Sequence, residues 1–501
     1  MERDHEAVPY RDCNDYTINP LILLCRGEAM PRPDWTRPGL GMAQSLQIFP
    51  RRIFMIFREA IKKIFSLGLP MAGTQLIHVS SGFLCMTMLA KLGHDVLAAS
   101  ALISLTQIAI LVTGMSFLFS LSVLVSHANG AKNYFSIGNY VQQGWLMAVL
   151  ISIPIIVFFW NIKAILILLG QSPQIASIVQ TFFRAFVWGV IPNLLSTCNQ
   201  QFGYGLHKKS LIVTASLLGI IVLLISSYTL IFGKFGFPKL GVAGLGYAQA
   251  IQFSFFFIFT TLFYYFDKSF AQYKLFQFRV HKHLDHFVQM FKIGGPICAQ
   301  MGGEIMSLFV MGIMVGWIGS SALAASQIVN QYYFLAIIPL FVFSQAGGIL
   351  VGQANGAKEF HEIKLLGYSS IAVVVIISLF VTLVFTLLPT HLASVYINIH
   401  DPQNKTILHY ALILFYISAF TQLFDGTRNM LIGVMRGLFD TKIPMVLGLI
   451  LIWAIELPLC YILAFTFNLG IMGIALGALF SMIIGAGVMF YRWHSLCKNY
   501  A

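Results

Sequence analysis

Charge is what this chain has least of. Charged residues fill 10% of its 501 positions and only 18 are acidic, against 58% hydrophobic residues and a mean hydropathy of +0.80. No soluble globular domain of this length tolerates that balance, so the sequence describes a polytopic membrane protein. The alternating segments of about 10 residues that barrel strands need are missing, whereas runs of about 20 apolar residues, whose backbone a helix satisfies internally, recur throughout. The expected fold class is therefore an all-α membrane protein. The seven cysteines (Cys13, Cys25, Cys85, Cys198, Cys298, Cys460 and Cys497) show no CxxC or Cys/His spacing, so neither a disulfide framework nor a structural metal follows. There is no HExxH and no convincing pair of catalytic acids, which leaves an intramembrane enzyme without its chemistry; the chain is expected not to be an enzyme and to carry no cofactor.

The net charge of +13 does not point to nucleic acid, because the basic residues sit in short connections between apolar runs. Twelve spans are expected, near 66–90, 97–127, 138–160, 173–200, 210–232, 240–266, 288–316, 322–352, 364–389, 406–435, 443–466 and 470–492. The connections holding Lys132, Lys208 with Lys209, Lys358 with Lys364, and Arg436 with Lys442 fall on the same side as both termini, which the positive-inside rule makes the cytoplasm. Residues 1–49 read as a polar, disordered extension, with Met42 a more natural opening. Residues 50–64 (RRIFMIFREAIKK at their centre) read as an amphipathic helix on the cytoplasmic lipid surface, 65–266 as a first lobe of six spans, and 267–286 as a basic cytoplasmic linker. Residues 287–494 then form a second lobe of six spans, and 495–501 a cytoplasmic tail. In the linker, His281, His283 and His286 fit a solvated basic loop beside anionic headgroups better than a metal cluster.

The two lobes are copies. GHDVLAASALI from Gly93 matches GSSALAASQIV from Gly319, HANGAK from His127 matches QANGAK from Gln353, and Pro70 matches Pro296, all at one offset (319 − 93 = 226). LGVAGLGYAQA from Leu240 likewise matches LGIMGIALGA from Leu469. Six spans is an even number, so the copies share one orientation, with an axis along the membrane normal and a central cavity between lobes.

The repeat exposes an asymmetry. Between Ser66 and Phe266 the only acidic residue is Asp95, in an outer connection, so the first lobe has no membrane carboxylate. The second has Glu304, Asp425 and Glu456. An acid at bilayer depth costs about 2.5–3.5 kcal/mol on insertion scales and normally faces a partner or a water-filled cavity. In the first lobe Glu304 corresponds to His78 (304 − 226), and Asp425, through the Gly437/Gly205 offset of 232, to Asn193. A transporter coupled to Na⁺ or H⁺ needs such an acid, so coupling is expected in the second lobe, at Glu304 and Asp425. The competing reading of Glu304 is a protonated carboxyl bonded inside the bundle. Arg428, three residues after Asp425, either neutralises it locally or pairs with Glu456. His78 is read as hydrogen-bonded packing before titration, and Tyr332, Tyr333 and Phe334 offer π faces to a cationic substrate.

The 226-residue repeat, LAAS followed by HANGAK or QANGAK, FGKFGFPKLGVAGLGYAQAI and GVMRGLFDTKIPM resemble the multidrug and toxic compound extrusion (MATE) family, NorM-like branch, over about residues 60–495. The resemblance implies the family's fold of twelve helices in two lobes. It further implies a bacterial inner-membrane antiporter, functional as a monomer, that exchanges Na⁺ or H⁺ for small amphipathic, often cationic drugs by alternating access. The branch's acids on spans 7 and 10 map onto Glu304 and Asp425 as the cation site, the place for a bound Na⁺. Two departures stand out. The family's span-1 GFxD reads GFLC here, placing Cys85 where an aspartate is usual, and Arg428 lies outside the pattern. The missing aspartate tilts the expectation toward Na⁺. A lipid-linked saccharide flippase of the same superfamily is the alternative; it would favour a deep cationic cavity, and the membrane-embedded basic residues are chiefly Arg184 and Arg428.

Overall fold

The computed structural model describes residues 42–277, 284–399 and 401–498, and these are helical nearly throughout, with no strand among the described residues. The long helices are α1 (Met42–Ala90), α2 (94–130), α3 (Tyr134–Trp160), α4 (Pro173–Gly205), α5 (Lys209–Phe232), α6 (Val242–Phe266), α7 (Leu284–Ile318), α8 (Ser320–Gly356), α9 (Phe360–Leu387), α10 (Lys405–Gly437), α11 (Lys442–Thr466) and α12 (Gly470–Lys498). Eleven of them, α2 to α12, contain stretches long and apolar enough to cross a bilayer.

The sequence separates the surface helix 50–64 from a first span beginning at 65, but α1 runs through that boundary without a break. Lys63–Ser66 holds neither glycine nor proline to stop it. Residues 42–49, expected to be disordered, are its first turns; residues 1–41 lie outside the described residues, as do His281, His283 and the tail from 499. His286 sits in the first turn of α7, edge-on to the Tyr140 ring at 4.7 Å.

Three apolar clusters build the core. One fills the first lobe and takes in Met290, Ile293 and Ile297 of α7; a second joins α1 residues Ala60–Ala72 to α8, α9, α10 and α12; a third fills the other end of the second lobe. Each lobe's first helix therefore reaches across to the opposite lobe. The crossings obey the repeat: Gly68 of α1 lies under the Phe343 ring of α8, and Gly294 of α7 lies against Phe117 of α2, each 226 residues on (294 − 68; 343 − 117).

The lobes meet where α2 and α8 end. A Cβ on Gly130 would strike the carbonyl of Gln353, and one on Gly356 would strike the carbonyl of His127, again at an offset of 226 (356 − 130; 353 − 127). Only glycine allows backbones this close. The seal lies beside the basic connections that carry Lys132 and Lys358, and Lys63 of α1 pairs with Glu362 of α9 at 3.2 Å across the same end.

Candidate functional site: a buried charge cluster in the second lobe

α10 is held against α8 by glycines: a Cβ on Gly433 would meet the Ser344 carbonyl, and one on Gly437 would lie 2.5 Å from the Gly348 carbonyl. Ser344 Oγ also donates to the Asn429 carbonyl at 2.6 Å. This contact sets Asp425 of α10 opposite Tyr333 of α8, while α7 brings Glu304 in from the lobe interface.

Arg428 joins them. Its Nη1 donates to Glu304 Oε1 at 3.0 Å, and its Nη2 and Nε donate to Asp425 Oδ1 at 3.0 and 3.3 Å. Asn429 Nδ2 adds a 2.9 Å bond to Asp425 Oδ1, Tyr333 Oη donates to Asp425 Oδ2 at 3.0 Å, and Gln300 Nε2 donates to Glu304 Oε1 at 3.1 Å. Three of the four carboxylate oxygens thus already accept hydrogen bonds from the protein. Gly485 of α12 makes room for the arginine, since a Cβ there would lie 3.1 Å from Arg428 Cδ. The guanidinium fork suits this task because it is planar, always charged and able to serve two carboxylates at once.

The two readings of Arg428 are therefore decided in favour of both Asp425 and Glu304 together, with Glu456 left out of that ion pair. Glu456 is nonetheless only 4% exposed, and its Oε2 has no hydrogen-bond partner. Other sequence candidates lie apart from the guanidinium. Tyr332 donates to the Leu392 carbonyl at 3.0 Å and packs on Phe415 and Tyr396, and Phe334 is 51% exposed. In the first lobe His78 is half-buried on α1, Asn193 is buried on α4, and Cys85 Sγ lies 3.7 Å from Ser227 Oγ. Arg184 stacks over Trp160 at 5.7 Å.

Three site residues escape a sequence reading. Gln300 and Asn429 are ordinary amides until α7 and α10 are docked. Arg436, which the sequence places among the cytoplasmic connections, is instead buried in the last turn of α10, and its Nη2 donates to Gln300 Oε1 at 3.4 Å. Its spacing of eight residues from Arg428, about two turns, was the available signal. Outside this cluster, Asp440 Oδ2 accepts a hydrogen bond from Arg492 Nε at 2.9 Å.

A family model described as MatE matches residues 70–229 and 296–462, two segments whose starts are again 226 residues apart (296 − 70). The chain belongs to the multidrug and toxic compound extrusion family. Among MATE relatives, it is 29% identical over 436 residues to a probable multidrug resistance protein NorM of Synechocystis sp., covering 86% of this chain and 93% of the relative. It is likewise 29% identical over 432 residues to the probable NorM of Brucella suis biovar 1, covering 85% and 91%. These place it on the NorM-like side of the family. The fold agrees with MATE structures: the Vibrio cholerae MATE transporter VcmN in its bent form (TM-score 0.79, 18% identity, 89% of this chain and 99% of that one) and the eukaryotic MATE transporter AtDTX14 (TM-score 0.77, 18% identity, 89% and 99%).

Proposed function

We propose that this chain is an efflux antiporter that exports small amphipathic, often cationic compounds in exchange for H⁺ or Na⁺ through the second-lobe cluster. The observation that carries the reading is Arg428, buried at the meeting of α7, α8 and α10 and shared between Glu304 and Asp425. A buried ion pair contributes little net stability against an apolar replacement, so packing alone does not account for it. Glu304 also sits on the helix that packs against the first lobe through Gly294 and Gly302, so a change of charge there bears on the interface between lobes. The names of the NorM relatives support the substrate class.

In the cycle, a cation arriving from outside satisfies the acids and favours release of the substrate, and its loss to the cytoplasm permits reloading. Each ligand shifts the two states only by its difference in affinity for them. Sodium reaches three of the four oxygens of Glu304 and Asp425 only by displacing their hydrogen-bond donors, Arg428 chief among them, whereas a proton needs a single free carboxylate oxygen. The basic connections support a plasma-membrane protein with both ends of the chain cytoplasmic, and one chain carries both lobes. The flippase reading is weaker, because both buried guanidiniums of the second lobe already serve acids or amides.

The test is ethidium accumulation in cells lacking their own drug pumps, with and without sodium. Wild type lowers accumulation, and Glu304→Gln at equal abundance does not. Equal lowering by both sinks the role of Glu304, and sodium dependence identifies the ion.

A further inference from the structure

Resting on the antiport reading, we infer that Glu456 is the proton carrier of the cycle, protonated in the conformation described here and deprotonated when a cationic substrate loads, with Arg428 and Arg436 as fixed counter-charges for Glu304 and Asp425.

The first ground is charge. Glu304, Asp425 and Glu456 supply three negative charges when ionised, and Arg428 and Arg436 two positive ones (−3 + 2 = −1), all in one cluster where only Glu304 retains appreciable exposure. With no cation bound, the cluster is neutral only when one acid holds a proton, and low dielectric penalises any uncompensated charge.

The second ground is which acid. Glu304 and Asp425 accept hydrogen bonds from arginine and amide donors. Glu456 Oε2 accepts none, and the one hydrogen-bond partner of the carboxyl is the neutral Ser481 hydroxyl of α12, which is shared with the Leu451 carbonyl at 3.3 Å. A neutral carboxyl tolerates an unpartnered oxygen at far lower cost than a carboxylate. The groups facing Glu456 are Arg428 and Asp425 of α10, Glu304 of α7, Tyr333 of α8, Ser481 of α12 and, one turn along its own helix, Cys460.

The third ground is the helix. Glu456 closes a π-turn, Leu451–Glu456, and Pro458 and a second π-turn, Ile462–Thr466, follow it. The first-lobe counterpart, α5, is α-helical from Lys209 to Phe232 and contains no acid. Single π-turns mark places where a helix departs from regular register, often at functional sites.

The balance is simple. Glu456–COOH gives a carboxylate and a proton that leaves to the cytoplasm as a monovalent cation enters, and the cluster with its cargo keeps the same total charge. Exchange of one proton for one monovalent cation is therefore electroneutral.

The test is infrared spectroscopy of the reconstituted full chain across pH, reading the C=O stretch that protonated carboxyls show and carboxylates lack. Wild type has this band at pH 7; Glu456→Gln lacks it; Glu456→Asp restores a titrating band. Glu304→Gln, which removes a neighbouring negative charge, moves the midpoint to lower pH. Added ethidium diminishes the wild-type band and releases protons. A band that survives in Glu456→Gln, no band in wild type, or a band indifferent to bound ethidium overturns the proposal. If the band belongs to Glu456 but wild type neither binds nor exports ethidium, the protonated carboxyl stands and the multidrug reading falls.

Discussion

The two lobes share a repeated sequence pattern, yet the buried polar network of one is neutral and the other is charged at its centre. In the first lobe Asn199 bonds Thr260, Thr261 and Trp145, Tyr264 bonds the Asn199 carbonyl, and Gln107 bonds Gln249, all neutral partners. In the second, three acids and two arginines share one buried region. Neutral networks hold a lobe in one arrangement with modest energies per bond, whereas a buried charge cluster makes its arrangement depend on which cations are present. The repeat thus supplies two similar halves, and a few differing residues give only one of them a buried cluster of acids and arginines.

The comparison breaks most readily at Arg428. Replacing it with methionine leaves Glu304 and Asp425 without their guanidinium, at about 3–5 kcal/mol for a broken buried pair. A change at the centre of the first lobe's neutral network, Asn199→Ala, costs about 1–3 kcal/mol for unsatisfied neutral partners. Thermal unfolding in detergent measures both, and adding Glu304→Gln and Asp425→Asn to Arg428→Met is expected to recover most of its loss. Equal destabilisation from the two single changes contradicts a charged-versus-neutral division.

A smaller effect is expected where the lobes are alike. Gly130→Ala or Gly356→Ala places a methyl group against a carbonyl of the opposite lobe, an overpacking of about 1–3 kcal/mol that falls on the lobe contact and spares each lobe's interior. Spin labels at Asn133 and Glu359 are expected to report longer separations in either variant. Gly312→Ala, where nothing lies within reach of a new Cβ, is expected to leave them unchanged. Similar responses of Gly130 and Gly356 support the pseudo-symmetry of the seal, and a response from only one breaks it.

Much of this was legible before any coordinates. The offset of 226 found in HANGAK and QANGAK is the offset at which Gly130 and Gly356 seal the lobes, because repeated sequence becomes repeated contact. The isolation of Glu304 and Asp425 in apolar spans signalled a shared site, since lone acids at bilayer depth need company. What was not legible depends on docking. Nothing local to Arg428 shows that it reaches α7 as well as its own helix, and Arg436 looks like a loop cation because its partner, Gln300, lies 136 residues away. The π-turns around Glu456 carry no propensity signature, and the merging of the surface helix into α1 follows from the absence of a stop, which charge patterning alone obscured.

The most direct measurement is ethidium-driven proton release from proteoliposomes containing wild type, Cys85→Ala or Asp425→Asn. Cys85 marks the first-lobe position where the family usually has an aspartate, and Asp425 holds the second-lobe arginine. The account predicts that Cys85→Ala exchanges ethidium for protons like wild type while Asp425→Asn, inserted and folded, does not. Loss of exchange in Cys85→Ala, or its survival in Asp425→Asn, contradicts a coupling site confined to the second lobe.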